Sequence, residues 1–441
     1  MTAATLPPPA LPTAPHRLPG LGHLPYLALD QVGFYTAQHR LGPVVRVYFG
    51  TMPVLLLSDP ALIHRVLVTD ADRFAKGRIF RKTKPFFGNG LATSEGEFHH
   101  RQRRLMSPAF HQSRFAAYTT TMRTEVERMT DGWWPGQRLD WRRAMYEVTP
   151  YILGRTLFDC ALSGAASAEI HQSLPTVLRG AVTRSLYPLP WLPEVVNRPF
   201  DEAGRRLNTV IDRILDSYAD GADRGDLLSM LLRARDPDTG EGMSPQQVRD
   251  ELMTLLIAGT ETAAVTLTWV YYELARQPAI AARLHAELDE VLAGRPVSYA
   301  DLPRLTYLRC VVDETLRLHN PVPMSMRQAL VDIQLGPAFV EAGGEVMYSP
   351  LALHRDPRHH PRPLLFDPDR WSRPPAPGTY LPFGDGRHRC IGKQFALTEM
   401  MVAIATISAR WRLRPEPGYR MRPVDLVTHQ PRSLPMIIES R

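Results

Sequence analysis

Between Ser244 and Pro278 the chain runs for about 33 residues without a helix breaker. Ser244-Pro245-Gln246-Gln247 opens the run, with serine placed as the N-cap, proline at the first helical position and glutamine at the third. At 1.5 Å per residue, a helix over residues 244–277 is roughly 50 Å long. Residues 252–272 are long enough to span a bilayer. Glu261 sits near their middle, however, and an intramembrane charge costs several kcal/mol. A long helix that is apolar on all sides is otherwise a buried one, so the run predicts the central helix of a soluble fold. Inside it lies Ala258-Gly259-Thr260-Glu261-Thr262. Glycine costs about 1 kcal/mol in a helix interior, and glutamate and threonine suit a buried stretch poorly. Violations this dense mark a functional site. The bland alternative is a helix kink at Gly259 with a back-bonded threonine.

The second constraint is Phe383-Gly384-Asp385-Gly386-Arg387-His388-Arg389-Cys390-Ile391-Gly392, a glycine-rich loop that ends in one cysteine. A helix is predicted immediately afterwards, over residues 391–410. A cysteine at a helix N-terminus feels the positive end of the dipole, which favours the thiolate. Arg387, His388 and Arg389 add positive charge. A buried free cysteine is the bland alternative.

Phe383, Gly386, His388, Cys390 and Gly392 together resemble, in register, the haem-binding loop of the cytochrome P-450 family, the haem-thiolate monooxygenases. The resemblance implies non-covalent haem b with Cys390 as the axial thiolate on iron, a ligand that pushes electron density toward the metal. It also implies a mainly α, prism-shaped haem domain with a small β-rich lobe over residues 23–441, after a proline-rich leader at 1–22. In the central helix it implies an acid–alcohol pair over the haem: Thr262 beside dioxygen, Glu261 feeding it protons, and Ala258 and Gly259 leaving room. His99 and Arg103, at i and i+4 on one helix face, would reach the haem propionates, as would Arg327 and His388. A propionate bond from His388 would be pH-sensitive. Glu314 and Arg317, three apart, resemble the family's Glu-x-x-Arg helix, and Arg370 would complete a structural ion network with them. Such a pair alone carries almost no signal. Phe86 and Phe87, in a flap over the substrate, and Met324 and Met326, as adaptable thioethers, would line the substrate pocket.

The remaining segments are expected as follows. Residues 30–41 and 61–68 form short helices, and residues 44–49 and 53–57 form a hairpin. Residues 76–94, rich in Arg78, Arg81, Lys82 and Lys84, read as a solvated loop. Residues 115–235 are a series of helices, broken between Leu186 and Pro193 by prolines with Tyr187, Trp191 and Leu192 alongside. That break reads equally as a packed turn or a lid. Residues 424–438 read as a final hairpin whose turn enters the pocket.

The 441 residues are 44% hydrophobic and 22% charged, a globular balance. The three cysteines, Cys160, Cys310 and Cys390, are scattered and form no CxxC or CxxCH, which argues against a zinc ribbon or covalent haem and suggests a reducing compartment. The net charge of +7 is almost all arginine, and no nucleic-acid motif accompanies it, so an acidic protein partner is favoured. The resemblance implies ferredoxin and ferredoxin reductase passing electrons from NAD(P)H, docked where Arg387, Arg389, Lys393, Arg101 and Arg104 cluster. No apolar run early in the chain reads as a membrane anchor, so the cytoplasm is expected. The expected reaction inserts one atom of O2 into an apolar small molecule, taken as a terpene-like natural-product skeleton, with fatty acids, steroids and macrolides as alternatives. A peroxide-driven peroxygenase and a non-catalytic haem sensor or carrier are the rival functions. Glu261-Thr262 argues against the peroxygenase, which resembles this family but carries Arg-Pro there.

Overall fold

A computed structural model describes residues 11–158, 164–185, 198–220, 222–236, 238–425 and 427–441. Cys160, the 186–193 break with Tyr187, Trp191 and Leu192, and the first ten residues of the leader lie outside the described residues.

The central helix forms as its sequence dictates, over Pro245–Arg276. Ser244 Oγ accepts from Gln247 N–H at 3.2 Å, and Gln247 Oε1 accepts from Ser244 N–H at 2.7 Å. This reciprocal cap satisfies two donors that the first turn would leave orphaned. Among the described residues it is the one helix long and apolar enough to cross a membrane, and 78% of its most apolar window is buried inside the protein. Helix Trp141–Leu157 packs across it. The approach is close at Gly259, where an added Cβ would stand 2.8 Å from Leu153 Cδ1. Helices Thr306–Leu318 and Lys393–Ser408 complete its surroundings.

The β-rich lobe is built on a five-stranded sheet in the order Val44–Phe49, Met52–Leu57, Glu345–Tyr348, Ser325–Ala329, Phe74–Lys76. The predicted hairpin is its first pair, with Val47 opposite Val54. The leader and the residue after it dock on this edge: Ala14 N–H donates to Arg46 O at 2.9 Å, and His23 N–H to Tyr48 O at 2.8 Å.

Two expectations are corrected. Residues 76–94 contain a helix, Arg78–Phe87, rather than a loop. Arg81, Lys82 and Lys84 are exposed while Thr83 and Phe87 are buried, so the segment is amphipathic with a helical period. Pro85 near its end and the run of like charges disguise this in the sequence. The C-terminal run is not one hairpin. Pro423–Asp425 pairs with His429–Pro431, whereas Pro435–Ser440 joins a separate sheet between Trp411–Pro415 and Arg138–Asp140. No described residue of 424–434 lines the large cavity described below.

The predicted ion network is present. Glu314 and Arg317 are both fully buried, and their two ends meet in a fork at 2.8 Å and 2.8 Å. Arg370 Nε reaches Glu314 Oε1 at 3.4 Å. The indole N–H of Trp371 and the backbone N–H of Asp367 add further donors to Glu314, at 3.0 and 2.8 Å. Arg317 also donates to the carbonyls of His354, Pro363 and Leu365. His354 Nε2 in turn accepts the Leu381 N–H at 2.8 Å, two residues before Phe383. A chain of hydrogen bonds thus runs from the buried pair to the start of the cysteine loop. Breaking a buried pair from one side strands the other charge and costs about 3–5 kcal/mol. Glu314→Ala is therefore expected to lose about that much stability in urea unfolding. A loss under about 1 kcal/mol would show that the network is dispensable.

Candidate active site

The cysteine loop turns through a short 3-10 segment, Gly386–His388. Gly386 has φ +66°, and a Cβ there would fall 1.8 Å from Leu67 O, so neither the conformation nor the space admits a side chain. Cys390 N–H donates to Phe383 O at 2.9 Å, which closes the loop. Helix Lys393–Ser408 begins three residues beyond, with Gly392 as its cap. Cys390 is exposed, but toward an interior cavity rather than bulk solvent. Burial raises the thiol, and the Gly392 N–H, Arg103 and Lys393 offset only part of that rise. Burial thus opposes the thiolate that these neighbours favour. A metal deprotonates a coordinating thiol outright.

The cavity has a volume of about 350 Å³, within the range of small-molecule sites. Ala258, Gly259, Thr262, His99, Arg103, Arg327, Phe383, His388, Cys390 and Gly392 all line it. Ten of the positions chosen from the sequence, drawn from four separate elements and loops, thus converge on one space. On the central helix Ala258 faces the cavity and Thr262 is half-buried. Thr262 Oγ1 donates to Ala258 O at 2.7 Å, the predicted back-bond. The Gly259 gap is directed at Leu153, which also lines the cavity.

Glu261 does not line the cavity. It is buried one position round the helix, where its Oε1 accepts from Thr428 Oγ1 at 2.7 Å. Burial raises its carboxyl, and Thr428, Arg142 and Tyr146 hold that rise back.

The substrate-pocket expectation is corrected. Phe86 packs edge-on against Phe200, with ring centroids 4.4 Å apart, and Phe87 lies in the main core. The aromatic that reaches the cavity from that helix is Phe80, two turns before Phe87. Met324 and Met326 pack into the core of the β-rich lobe, where Met326 sits opposite Met347. Strand alternation explains the miss: Ser325 and Arg327 face the cavity, so Met326 must face away.

One edge of the cavity is cationic. Arg103 Nη1 donates to Arg389 O at 2.8 Å, and Arg327 Nη1 to Ser325 Oγ at 3.0 Å. The rings of His99 and His388 lie 4.6 Å apart. Lys76 joins them, buried, with Nζ donating to Leu91 O and Ser94 O at 2.8 Å each. Burial brings the Lys76 amine down to about 7, and burial with the Lys76 charge brings His99 down to about 4. Lys76 was legible only as a member of a basic run. Its inward place comes from the alternation of strand Phe74–Lys76, in which Phe74 and Lys76 are the buried pair. Glu399 was also missed. It lines the cavity from the cysteine helix, fully buried, its Oε1 without a hydrogen-bond partner among the described residues, and burial pushes it up to about 8. A lone carboxylate in an otherwise apolar helical run was its signal.

The family description Cytochrome P-450 matches residues 12–434. This chain belongs to the cytochrome P-450 family. It is 42% identical to cyclooctatin synthase of Streptomyces melanosporofaciens and 40% identical to cyclooctat-9-en-7-ol 5-monooxygenase of the same organism; each match covers 97% of this chain and 95% of the relative. It is 33% identical to pentalenene oxygenase of Streptomyces avermitilis, over 97% of each chain. The chain is accordingly an oxygenase-type oxidoreductase. The family implies haem with a cysteine thiolate on iron.

The residues of this cytochrome P-450 fit that group. His99 Nε2 and His388 Nδ1 are buried donors or acceptors without a hydrogen-bond partner among the described residues. They stand with Lys76, Arg103 and Arg327 on one edge, which suits the two carboxylates of haem b, and Cys390 lines the same cavity. Replacing a charge-assisted hydrogen bond costs about 1.5–3 kcal/mol, or about ten- to a hundredfold in affinity. Lys76→Met is expected to speed haem loss to an acceptor apoprotein by about that factor. An unchanged rate would place Lys76 off the haem edge.

Proposed function

We propose that this cytochrome P-450 inserts one oxygen atom from O2 into a terpene hydrocarbon or terpene alcohol, with electrons delivered by a separate ferredoxin. The observation that carries the substrate reading is the identity of 40–42% over 97% of the chain with two relatives named for cyclooctatin chemistry. The character of the cavity supports it: Phe80, Leu91, Leu153, Leu255, Ala258 and Val322 present apolar surface there.

In this reading Cys390 holds the iron, and the haem supplies the oxygen-activating chemistry when bound. The protein's own residues bind, orient and manage protons. Lys76, Arg103 and Arg327 would anchor the propionates, with His99 and His388 as neutral partners. Phe383 and Gly392 close the loop around the sulfur. The Thr262 hydroxyl, oriented by Ala258 O, stands at the cavity wall and would hold a proton for oxygen bound there. Proton delivery by a positioned acid contributes about 10²–10⁴-fold in rate, and Glu261, one residue away, is the candidate source. The apolar wall excludes water from the reacting carbon.

The ferredoxin reading rests on exposed cations near the cysteine. Arg389 and Lys393 are exposed there. Arg101 and Arg104, by contrast, are tied to Asp236, Asp238 and Glu241 at 3.0–3.6 Å, so they do not form a free docking cluster. Arg387 is half-buried and donates to Phe74 O. Charge steering of this kind is screened over about 8 Å at physiological ionic strength.

Two measurements test the proposal. In absorbance titrations of the ferric protein, a cyclic terpene or its alcohol is expected to drive the low-to-high spin shift at lower concentration than fatty acids, steroids or macrolactones. Turnover under ¹⁸O2 should then place one labelled atom in the product. A shift produced by another class alone would overturn the terpene assignment. Lys393→Glu should raise the KM for an acidic ferredoxin several-fold, with less effect at high salt. An unchanged KM at low salt would move the docking face elsewhere.

A further inference from the structure

Among the described residues, Glu261 is the one residue of the Ala258–Thr262 motif whose side chain has a buried partner from a distant part of the chain. Thr428 Oγ1 donates to Glu261 Oε1 at 2.7 Å. Gln430 Nε2 donates to Thr428 Oγ1 at 3.0 Å. Gln430 Oε1 accepts from the Tyr146 hydroxyl at 2.7 Å and from Arg142 Nε at 3.0 Å. The donors therefore all point one way, from Arg142 and Tyr146 through Gln430 and Thr428 to the carboxyl. With its oxygen occupied by two donors, the Gln430 amide must turn its NH2 toward Thr428. Having accepted that hydrogen bond, the Thr428 hydroxyl is left to donate to Glu261.

The segment carrying Thr428 and Gln430 is itself clamped to the central helix. The Trp269 indole N–H donates to His429 O at 2.8 Å, and the two rings stack 5.0 Å apart. Gln430 lies in the strand His429–Pro431, and Thr428 immediately precedes it. Trp269 holds His429, while Thr428 before it reaches Glu261 and Gln430 after it reaches Thr428.

We propose that Thr428, oriented by Gln430, is a positioning residue that parks Glu261 outside the haem cavity, so that protonated Glu261 must leave Thr428 before it can serve Thr262. This inference rests on the monooxygenase reading only for what the acid does after release; the parked position does not depend on it. The proton balance is simple. In the parked state Oε1 is an acceptor of the Thr428 hydrogen and gains no proton from it. The acidic proton comes from water, is carried on the carboxyl, and goes to the cavity when the side chain swings round. Thr428 neither gains nor loses a proton overall.

The test uses the ferric, substrate-free holoenzyme. The infrared C=O stretch of protonated Glu261, identified by its absence in Glu261→Gln, is titrated against pH in the native protein and in Thr428→Val and Thr428→Ser. Losing the donated hydrogen bond removes an interaction that favours the ionised form. The midpoint is expected to move to higher pH in Thr428→Val and to return toward the native position in Thr428→Ser. Under turnover, the pH at which product per nicotinamide consumed falls to half should move in the same direction. An unmoved infrared midpoint in Thr428→Val overturns the proposal, as does an equal shift in Thr428→Ser, which keeps the hydroxyl. Matched thermal melting of the variants separates positioning from a folding defect. Should Thr428→Val fail to fold, Gln430→Leu reads the same midpoint one bond further out, with the same outcomes. Because the infrared titration needs no substrate, failure of the terpene assignment leaves it intact.

Discussion

The fully buried pair of Glu314 and Arg317 is the interaction on which the rest of the molecule leans. Two charges taken wholly out of water are tolerable only when every donor and acceptor around them is met. Here the carboxylate receives the Arg317 fork, Arg370, the Trp371 indole and a backbone N–H, and the guanidinium also spans three carbonyls. Those carbonyls belong to His354, Pro363 and Leu365, residues of a long stretch with little regular structure. Such a stretch has no ladder to hold it. The buried guanidinium supplies the anchoring that a sheet would otherwise give, and His354 passes it to Leu381 at the entrance of the cysteine loop.

The loop can then be small and strained without being loose. Gly386 presses against the Leu67 carbonyl, and Cys390 is tied back to Phe383. Facing it, the central helix offers a wall of Leu255, Ala258, Gly259 and Ala263 interrupted by Thr254, Thr262 and Thr266, of which Thr262 bonds back onto Ala258. The cavity between them is polarised: cations and imidazoles crowd one edge, and mostly apolar side chains occupy the rest. That asymmetry dictates which end of an amphiphilic planar group enters where. It also leaves a largely apolar space, suited to a ligand recognised by shape more than by charge.

Much of this site was legible because its residue types are costly elsewhere. A glycine, a glutamate and two threonines inside a buried helix, or a cysteine behind two glycines and three basic residues, violate local preference too densely to be incidental. The ion network was legible only as a resemblance, since Glu314 and Arg317 taken alone match any surface pair. The failures share one cause. Phe86, Phe87, Met324 and Met326 were chosen for chemical type and proximity in sequence, whereas which side chain faces the cavity is set by helix phase and strand alternation. Phe80, Ser325 and Lys76 won those places. The helix Arg78–Phe87 was hidden because Pro85 and four cations outweigh its apolar period locally, and only packing against the core reverses that balance.

By itself the sequence determined the central helix, its cap and its interior break, the cysteine loop, and the set of residues bearing chemistry, because each depends on local conformational preference or on residues a few positions apart. The tertiary structure decided how those pieces face one another. It turned Glu261 toward Thr428 instead of the cavity, brought Lys76 to the cationic edge, paired Arg101 and Arg104 with acids, and left Glu399 buried at the wall. These are contacts across long stretches of chain. They are selected by burial and hydrogen-bond satisfaction in the assembled core, quantities that no local window of sequence contains.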